Sequence, residues 1–150
     1  MIKYKKYFNL FLIYKNERIT FSSSIHFSFS YTDLEALTRV VYCEARGEPD
    51  NGKLAVAYTV VNRSTKSGKS VAYEATKPSQ FCVWSGTMTE TAAATKCQTY
   101  AQQAINRSAA DPSNGATFFY SGSSVPSWAK GKTPCAQIGG HKFFKNIAPY

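Results

Sequence analysis

At 150 residues the chain has room for one domain with a real core and is too short for two comfortable ones. Its 43% hydrophobic and 18% charged residues are those of a globular protein, and it has no apolar run of the roughly 20 residues that span a bilayer. The net charge of +9 divides unevenly: residues 1–30 carry five Lys/Arg against Glu17 alone, and the remainder carries thirteen against eight acids, scattered singly rather than in the dense stripe of a phosphate-backbone reader.

Residues 1–31 differ from all that follow. Met1 to Lys6 is basic, Tyr7 to Tyr14 is a short apolar run, and Ile19 to Tyr31 is rich in Ser and Phe. The stretch imitates an export leader without a clear small-x-small cleavage site, so a degenerate leader or a flexible extension is expected here, with the domain over 32–150.

Thr32-x-x-Glu35 reads as a capping box opening a helix that runs to about Ala45 and stops at Gly47 and Pro49. Leu34, Leu37, Val40, Val41 and Glu44 fall on one stripe of that helix, so the Glu44 carboxyl shares the face that enters the core. Burial disfavours the ionised form of a carboxyl, and an acid still protonated near neutral pH is what protonating a glycosidic oxygen requires. The plain alternative is a helix-end Glu turned to water or paired with Arg39 or Arg46.

Asp50 or Asn51 is expected to cap a second helix, whose run Leu54-Ala55-Val56-Ala57-Tyr58-Thr59-Val60-Val61 is too continuous for a surface helix and reads as the buried centre of the domain, ending near Ser67-Gly68. A loose segment follows, carrying Lys77-Pro78-Ser79-Gln80-Phe81-Cys82-Val83-Trp84, a loop of the kind that holds binding residues. Thr89 is placed as the cap of a third long helix through about Arg107, with Ala93, Cys97, Tyr100, Ala101 and Ala104 inward. Asp111-Pro112-Ser113-Asn114-Gly115 is a turn. A strand over 116–120, a polar loop around Trp128 and a returning strand over 137–144 complete an α+β order, a helical core with a small antiparallel sheet in the C-terminal half.

Cys43, Cys82, Cys97 and Cys135 contain no C-x-x-C pair, and His26 and His141 lie far apart, so no metal site or other cofactor is expected. Four cysteines predict two disulfides in any of three connectivities, or else four buried thiols. A bridge from Cys43 would brace the helix end that bears Glu44.

The blocks Leu37-Thr38-Arg39-Val40-Val41-Tyr42-Cys43-Glu44-Ala45-Arg46-Gly47-Glu48-Pro49, Gly52-x-x-Ala55-Val56-Ala57 with Val60-Val61-Asn62-Arg63, Pro78-Ser79-Gln80-Phe81, and Asp111-Pro112-Ser113-Asn114-Gly115-Ala116 with Phe119-Tyr120, followed by Trp128 and Ile138-Gly139-x-His141-x-Phe143, resemble the SleB/CwlJ-type cell wall hydrolases in order and spacing. The resemblance implies a lysozyme-like fold acting on peptidoglycan and, for SleB-type members, cleavage by lytic transglycosylation. It maps the catalytic acid onto Glu44. Members often carry Tyr where Phe144 stands, and the four cysteines are not part of the family pattern.

The residues accommodate that chemistry. A glycoside hydrolase needs a second carboxylate, and few acids remain: Glu35 belongs to a cap, Asp111 to a turn, and Glu74 and Glu90 to segments that look exposed. A lytic transglycosylase needs none, because the muramyl 6-hydroxyl attacks its own anomeric carbon. Glu48 is assigned a supporting role, accepting loop amides or pairing with Arg46 or Arg63. Asn62 is either a hydrogen-bond donor in the cleft or a structural contact. Gln80, Phe81, Tyr120 and Trp128 are the expected glycan contacts, with core packing the alternative for the aromatic ones. His141 either positions a substrate hydroxyl or acetamido group or ties the last strand to its neighbour. The expected partner is peptidoglycan, not nucleic acid, and the expected state is a monomer, secreted or wall-associated. Alternatives are a hydrolytic muramidase or a non-catalytic peptidoglycan-binding protein of the same fold.

Overall fold

The computed structural model describes residues 31–150. The expected leader lies outside them except for Tyr31, whose ring lies 5.1 Å from the Arg39 guanidinium.

Helix α1 (Asp33–Ala45) begins where the Thr32 hydroxyl accepts the Glu35 N–H at 3.2 Å. Only half of the capping box forms, because the Glu35 carboxylate turns along the helix to Arg39 at 3.6 Å. Leu37, Val40 and Val41 are fully buried, a contribution of roughly 1.5–3 kcal/mol each. The helix ends at the Gly47-Glu48-Pro49 corner.

Helix α2 (Asp50–Ser67) is the central element: every residue from Gly52 to Val61 is buried, and it touches the other three helices and the sheet. Its β-branched Val56, Thr59, Val60 and Val61 are poor helix formers in isolation, so burial overrides propensity here. Neither Asp50 nor Asn51 caps it. Pro49 occupies the cap position, and Asp50 sits in the first turn, where a carboxylate suits the helix dipole, 3.5 Å from Lys96. Gly68, at φ +69°, ends the helix with its N–H on the Ser64 carbonyl.

The loose segment holds a short helix α3 (Val71–Thr76), capped by the Ser70 hydroxyl. Helix α4 (Thr91–Asn106) starts two residues later than the expected Thr89 cap. No side chain of its own caps it; the Tyr42 hydroxyl of α1 accepts the Glu90 N–H at 3.3 Å, a tertiary contact that local sequence does not show. Cys97, Ala101 and Ala104 are buried as expected, while Ala93 and Tyr100 are half-buried.

Strands β1 (Phe118–Ser121), β2 (Ala136–Ile138) and β3 (His141–Phe144) form an antiparallel sheet in the order β1-β3-β2. The single returning strand expected over 137–144 is thus two strands folded at Gly139-Gly140. Gly139 has φ +55°, which glycine adopts freely, and this turn makes β3 the central strand. Phe143 points into the main core, while Phe144 joins Ala129 and Ile147 in a small second cluster under Trp128.

One disulfide forms, Cys43–Cys82, with Cα atoms 5.7 Å apart. The expectation of two bridges fails at Cys97 and Cys135. Cys97 is enclosed in α4, and the Cys135 thiol donates to the Ser113 and Phe143 carbonyls at 3.3 and 3.4 Å.

Candidate active site

The wall around Glu44 can be built contact by contact. Glu44 occupies the last turn of α1, half-buried, and its Oε1 accepts the Cys82 N–H at 2.6 Å. The disulfide joins the neighbours of both groups, tying Cys82 to the residue before Glu44. Phe81, next along that loop, packs on Phe119 of β1 with centroids 6.0 Å apart, and Phe119 meets His141 of β3 edge-on at 5.1 Å. The His141 Nδ1 lies 3.6 Å from Glu48 Oε1, and Glu48 is four residues beyond Glu44. Glu44, Phe81, Phe119 and Glu48 therefore follow one another along a rim of successive contacts, with His141 buried behind it, drawn from α1, the following corner, the 77–84 loop and two strands.

Glu48 faces the hairpin. Its Oε2 accepts the Gly140 N–H at 3.0 Å, its backbone carbonyl accepts the buried Lys53 ammonium, and it pairs with neither Arg46 nor Arg63. A Cβ on Gly139 would stand 1.8 Å from that same Oε2 and 3.0 Å from Pro49 Cδ, so a glycine here lets the corner and the hairpin meet. His141 is 2% exposed, with Nδ1 unpartnered apart from the long approach to Glu48.

Asn62 is occupied elsewhere. Its amide donates to Asp111 Oδ2 and to the Ala116 carbonyl, both at 3.0 Å, pinning the turn that leads into β1 to the central helix. Tyr120 and Trp128 are also not on the Glu44 rim. Alternation along β1 puts Phe119 on one face and Phe118 and Tyr120 on the other, where Tyr120 stacks on Phe144 at 5.7 Å and Trp128 packs against both. Phe144 is accordingly on the face opposite His141.

The residue that local reading most undervalued is Arg63. It is 3% exposed, its Nε donates to the Thr117 carbonyl, its Nη1 donates to Gln80 Oε1 at 2.9 Å, and its guanidinium lies between Phe81 and Phe118 at 4.4 and 4.3 Å. Burial pulls this guanidinium down from its ordinary value, while Tyr150 and Glu74 push it back up. An Arg two residues beyond the apolar run of a buried helix was the available signal. Glu74 also departs from expectation: it is 1% exposed, because the C-terminal Tyr150 folds over it and donates its hydroxyl to the carboxylate.

Each of the remaining described acids has at least one partner, and Glu74 Oε1 is buried without one. Asp33 accepts the Ala72 N–H at 2.7 Å, Glu90 meets Arg46 at 3.2 Å, and Asp111 accepts the Ser113 and Gly115 amides at 2.8 and 3.0 Å. Glu44 Oε2 has no partner among the described residues. Nor do three His, Cys, Asp or Glu side chains cluster among the described residues as a metal site would require. A groove of about 840 Å³ between the start of α1, Ser85–Met88 and α4 does not include Glu44. The half-buried Glu44 carboxylate and the Phe81–Phe119 pair lie outside that groove.

The model of a protein family described as cell wall hydrolase matches residues 47–144. The chain belongs to the cell wall hydrolase family. The matched span contains every site residue proposed from sequence except Glu44, which stands three positions before it. Among solved structures, this cell wall hydrolase resembles the catalytic domain of the Bacillus cereus SleB protein, at 24% identity and a TM-score of 0.62, over 75% of this chain and 89% of that one. It resembles equally the catalytic domain of the germination-specific lytic transglycosylase SleB from Bacillus anthracis, again at 24% identity and 0.62, over 78% and 98%. No curated protein matches by sequence. The α+β arrangement is that of the SleB catalytic domains, and no described helix is long and apolar enough to cross a membrane.

Proposed function

We propose that this cell wall hydrolase cleaves the peptidoglycan glycan strand between N-acetylmuramyl and N-acetylglucosamine residues by lytic transglycosylation, with Glu44 acting first as acid and then as base. The observation that carries the reading is the setting of Glu44: it is half-buried, the Cys82 N–H holds one oxygen and the other has no partner among the described residues, whereas Glu48, the other half-buried acid of that rim, gives Oε2 to the Gly140 N–H and turns Oε1 toward His141 at 3.6 Å. In the first step the Glu44 proton passes to the glycosidic oxygen and the bond to the anomeric carbon breaks. In the second, the muramyl 6-hydroxyl oxygen bonds to that carbon and its proton returns to Glu44, leaving a 1,6-anhydro ring. The second carboxylate of a hydrolase is not needed.

The other residues support this cycle. The Cys82 N–H holds Glu44 Oε1 and leaves Oε2 for the proton. Glu48 fixes the Gly139-Gly140 turn, and with it His141, at the far side of the rim. Phe81 offers an aromatic wall to a sugar face. Asn62 acts from behind, and Tyr120 and Trp128 contact the glycan only where it wraps to the other face of the sheet. The active unit is residues 32–150, acting as a monomer at or outside the cell wall, where a net positive surface suits an anionic polymer. Digestion of purified peptidoglycan followed by mass spectrometry tests the reading: anhydro-muramyl ends support it, reducing ends indicate a muramidase, and binding without fragments indicates a non-catalytic wall protein.

A further inference from the structure

The polarity of the Gln80 side chain is fixed by chemistry, not by a choice between two look-alike ends of an amide. Its inner end lies 2.9 Å from Arg63 Nη1, and a guanidinium has donors only, so that end must be the carbonyl oxygen. Arg63 in turn cannot swing away. It is buried, anchored through Nε to the Thr117 carbonyl, and held against Phe81, Phe118 and Tyr150. Gln80 itself is exposed, and its NH₂ meets no acceptor among the described residues. It stands two residues before Cys82, whose N–H holds Glu44, and Ser79 before it adopts φ +59°, a conformation costly for a non-glycine residue and typical of segments held for function.

We infer that Gln80 is a specificity residue that presents only hydrogen-bond donors to the glycan and thereby selects N-acetylated sugars, with Arg63 as the positioning residue that sets this polarity. A freely turning Gln would serve donors and acceptors alike, and sugar hydroxyls, which are both, would not discriminate. An acetamido carbonyl accepts only. The ammonium left by de-N-acetylation donates only and would face the Gln80 NH₂ without a bond and with like polarity. The inference rests on the proposed glycan cleavage and names the feature of the sugar that the same site reads.

The test compares kcat/KM for fully N-acetylated peptidoglycan and for the same material chemically de-N-acetylated, using the wild-type chain, Gln80→Glu and Arg63→Lys. The carboxylate introduced by Gln80→Glu keeps an oxygen for Arg63, so the loop stays in place while the outer donor becomes an acceptor. Wild type should prefer the acetylated glycan, and Gln80→Glu should lower that preference about tenfold through KM, as expected for one lost hydrogen bond. Arg63→Lys, if its thermal transition shows it folded, should lower the preference in part. A wild-type chain that cleaves both glycans equally, or a Gln80→Glu chain that loses equally on both, overturns the inference while leaving glycan cleavage standing. Cleavage of neither glycan by wild type overturns both.

Discussion

The proposed chemistry turns on one carboxyl. Glu44 combines a core-facing stripe position, a backbone amide on one oxygen and an open second oxygen. Glu44→Gln retains the Cys82 contact through its carbonyl but has no proton to give, so it should reduce fragment release by at least about a thousandfold with a thermal transition close to wild type. A variant that still releases fragments freely would remove Glu44 from the chemistry. Gly139→Ala probes the support instead: the added methyl at φ +55° meets Glu48 Oε2, so unfolding free energy should fall by about 1–3 kcal/mol and activity with it, as denaturant titration beside an activity assay would show. At this scale the half-burial of Glu44 was legible because its environment is local, four apolar residues on one stripe and a Gly-Pro break, whereas its reading as the acid came from the family resemblance. Glu74 was not, since its burial depends on tertiary packing of α3 and on Tyr150, 76 residues later, whose hydroxyl it accepts. The placement of Tyr120 and Trp128 likewise depends on which face of β1 looks toward α2, and that is set by pairing with β3.

Among the elements, the long helices were readable and the joints less so. Thr32 capping, the stop before Pro49 and the Gly68 end all follow from short-range chemistry. The start of α4 and the hairpin at Gly139-Gly140 depend on Tyr42 and Glu48, partners remote in sequence. The disulfide is the element-scale brace of the site, linking α1 to the 77–84 loop across 39 residues. Replacing Cys43 and Cys82 together by Ser should lower stability by about 2–4 kcal/mol, measured by chemical unfolding, and reduce activity beyond the fraction unfolded, because the loop that holds Glu44 is then tethered by packing alone. Activity and stability unchanged by the double replacement would contradict that role. Cysteine counting could not choose between two bridges and one, because the choice depends on where α4 faces. The enclosure of Cys97 pushes its thiol up to about 11, so alkylation of the native protein near pH ~8 should leave it unmodified, whereas the unfolded, unreduced chain should show two titratable thiols.

For the molecule as a whole, the α+β class, the buried second helix and the cell wall hydrolase family were all visible in the order of the sequence blocks, because each block is contiguous in the chain and covers one element or one joint. The contacts that bring these blocks together were not, since Cys82 with Glu44, Phe81 with Phe119, and Glu48 with Gly140 each span long stretches of chain. If residues 32–150 are the active unit, a chain lacking 1–31 should digest peptidoglycan at a rate within about twofold of the full chain; loss of activity on truncation would place part of the working site before Thr32. The most direct test of the central claim remains the chemistry of the cut. Mass spectrometry of the soluble fragments released from purified peptidoglycan should show muramyl residues ending in 1,6-anhydro rings, lighter by one water than hydrolytic ends. Fragments ending in reducing muramic acid would contradict a single Glu44 serving as acid and then as base.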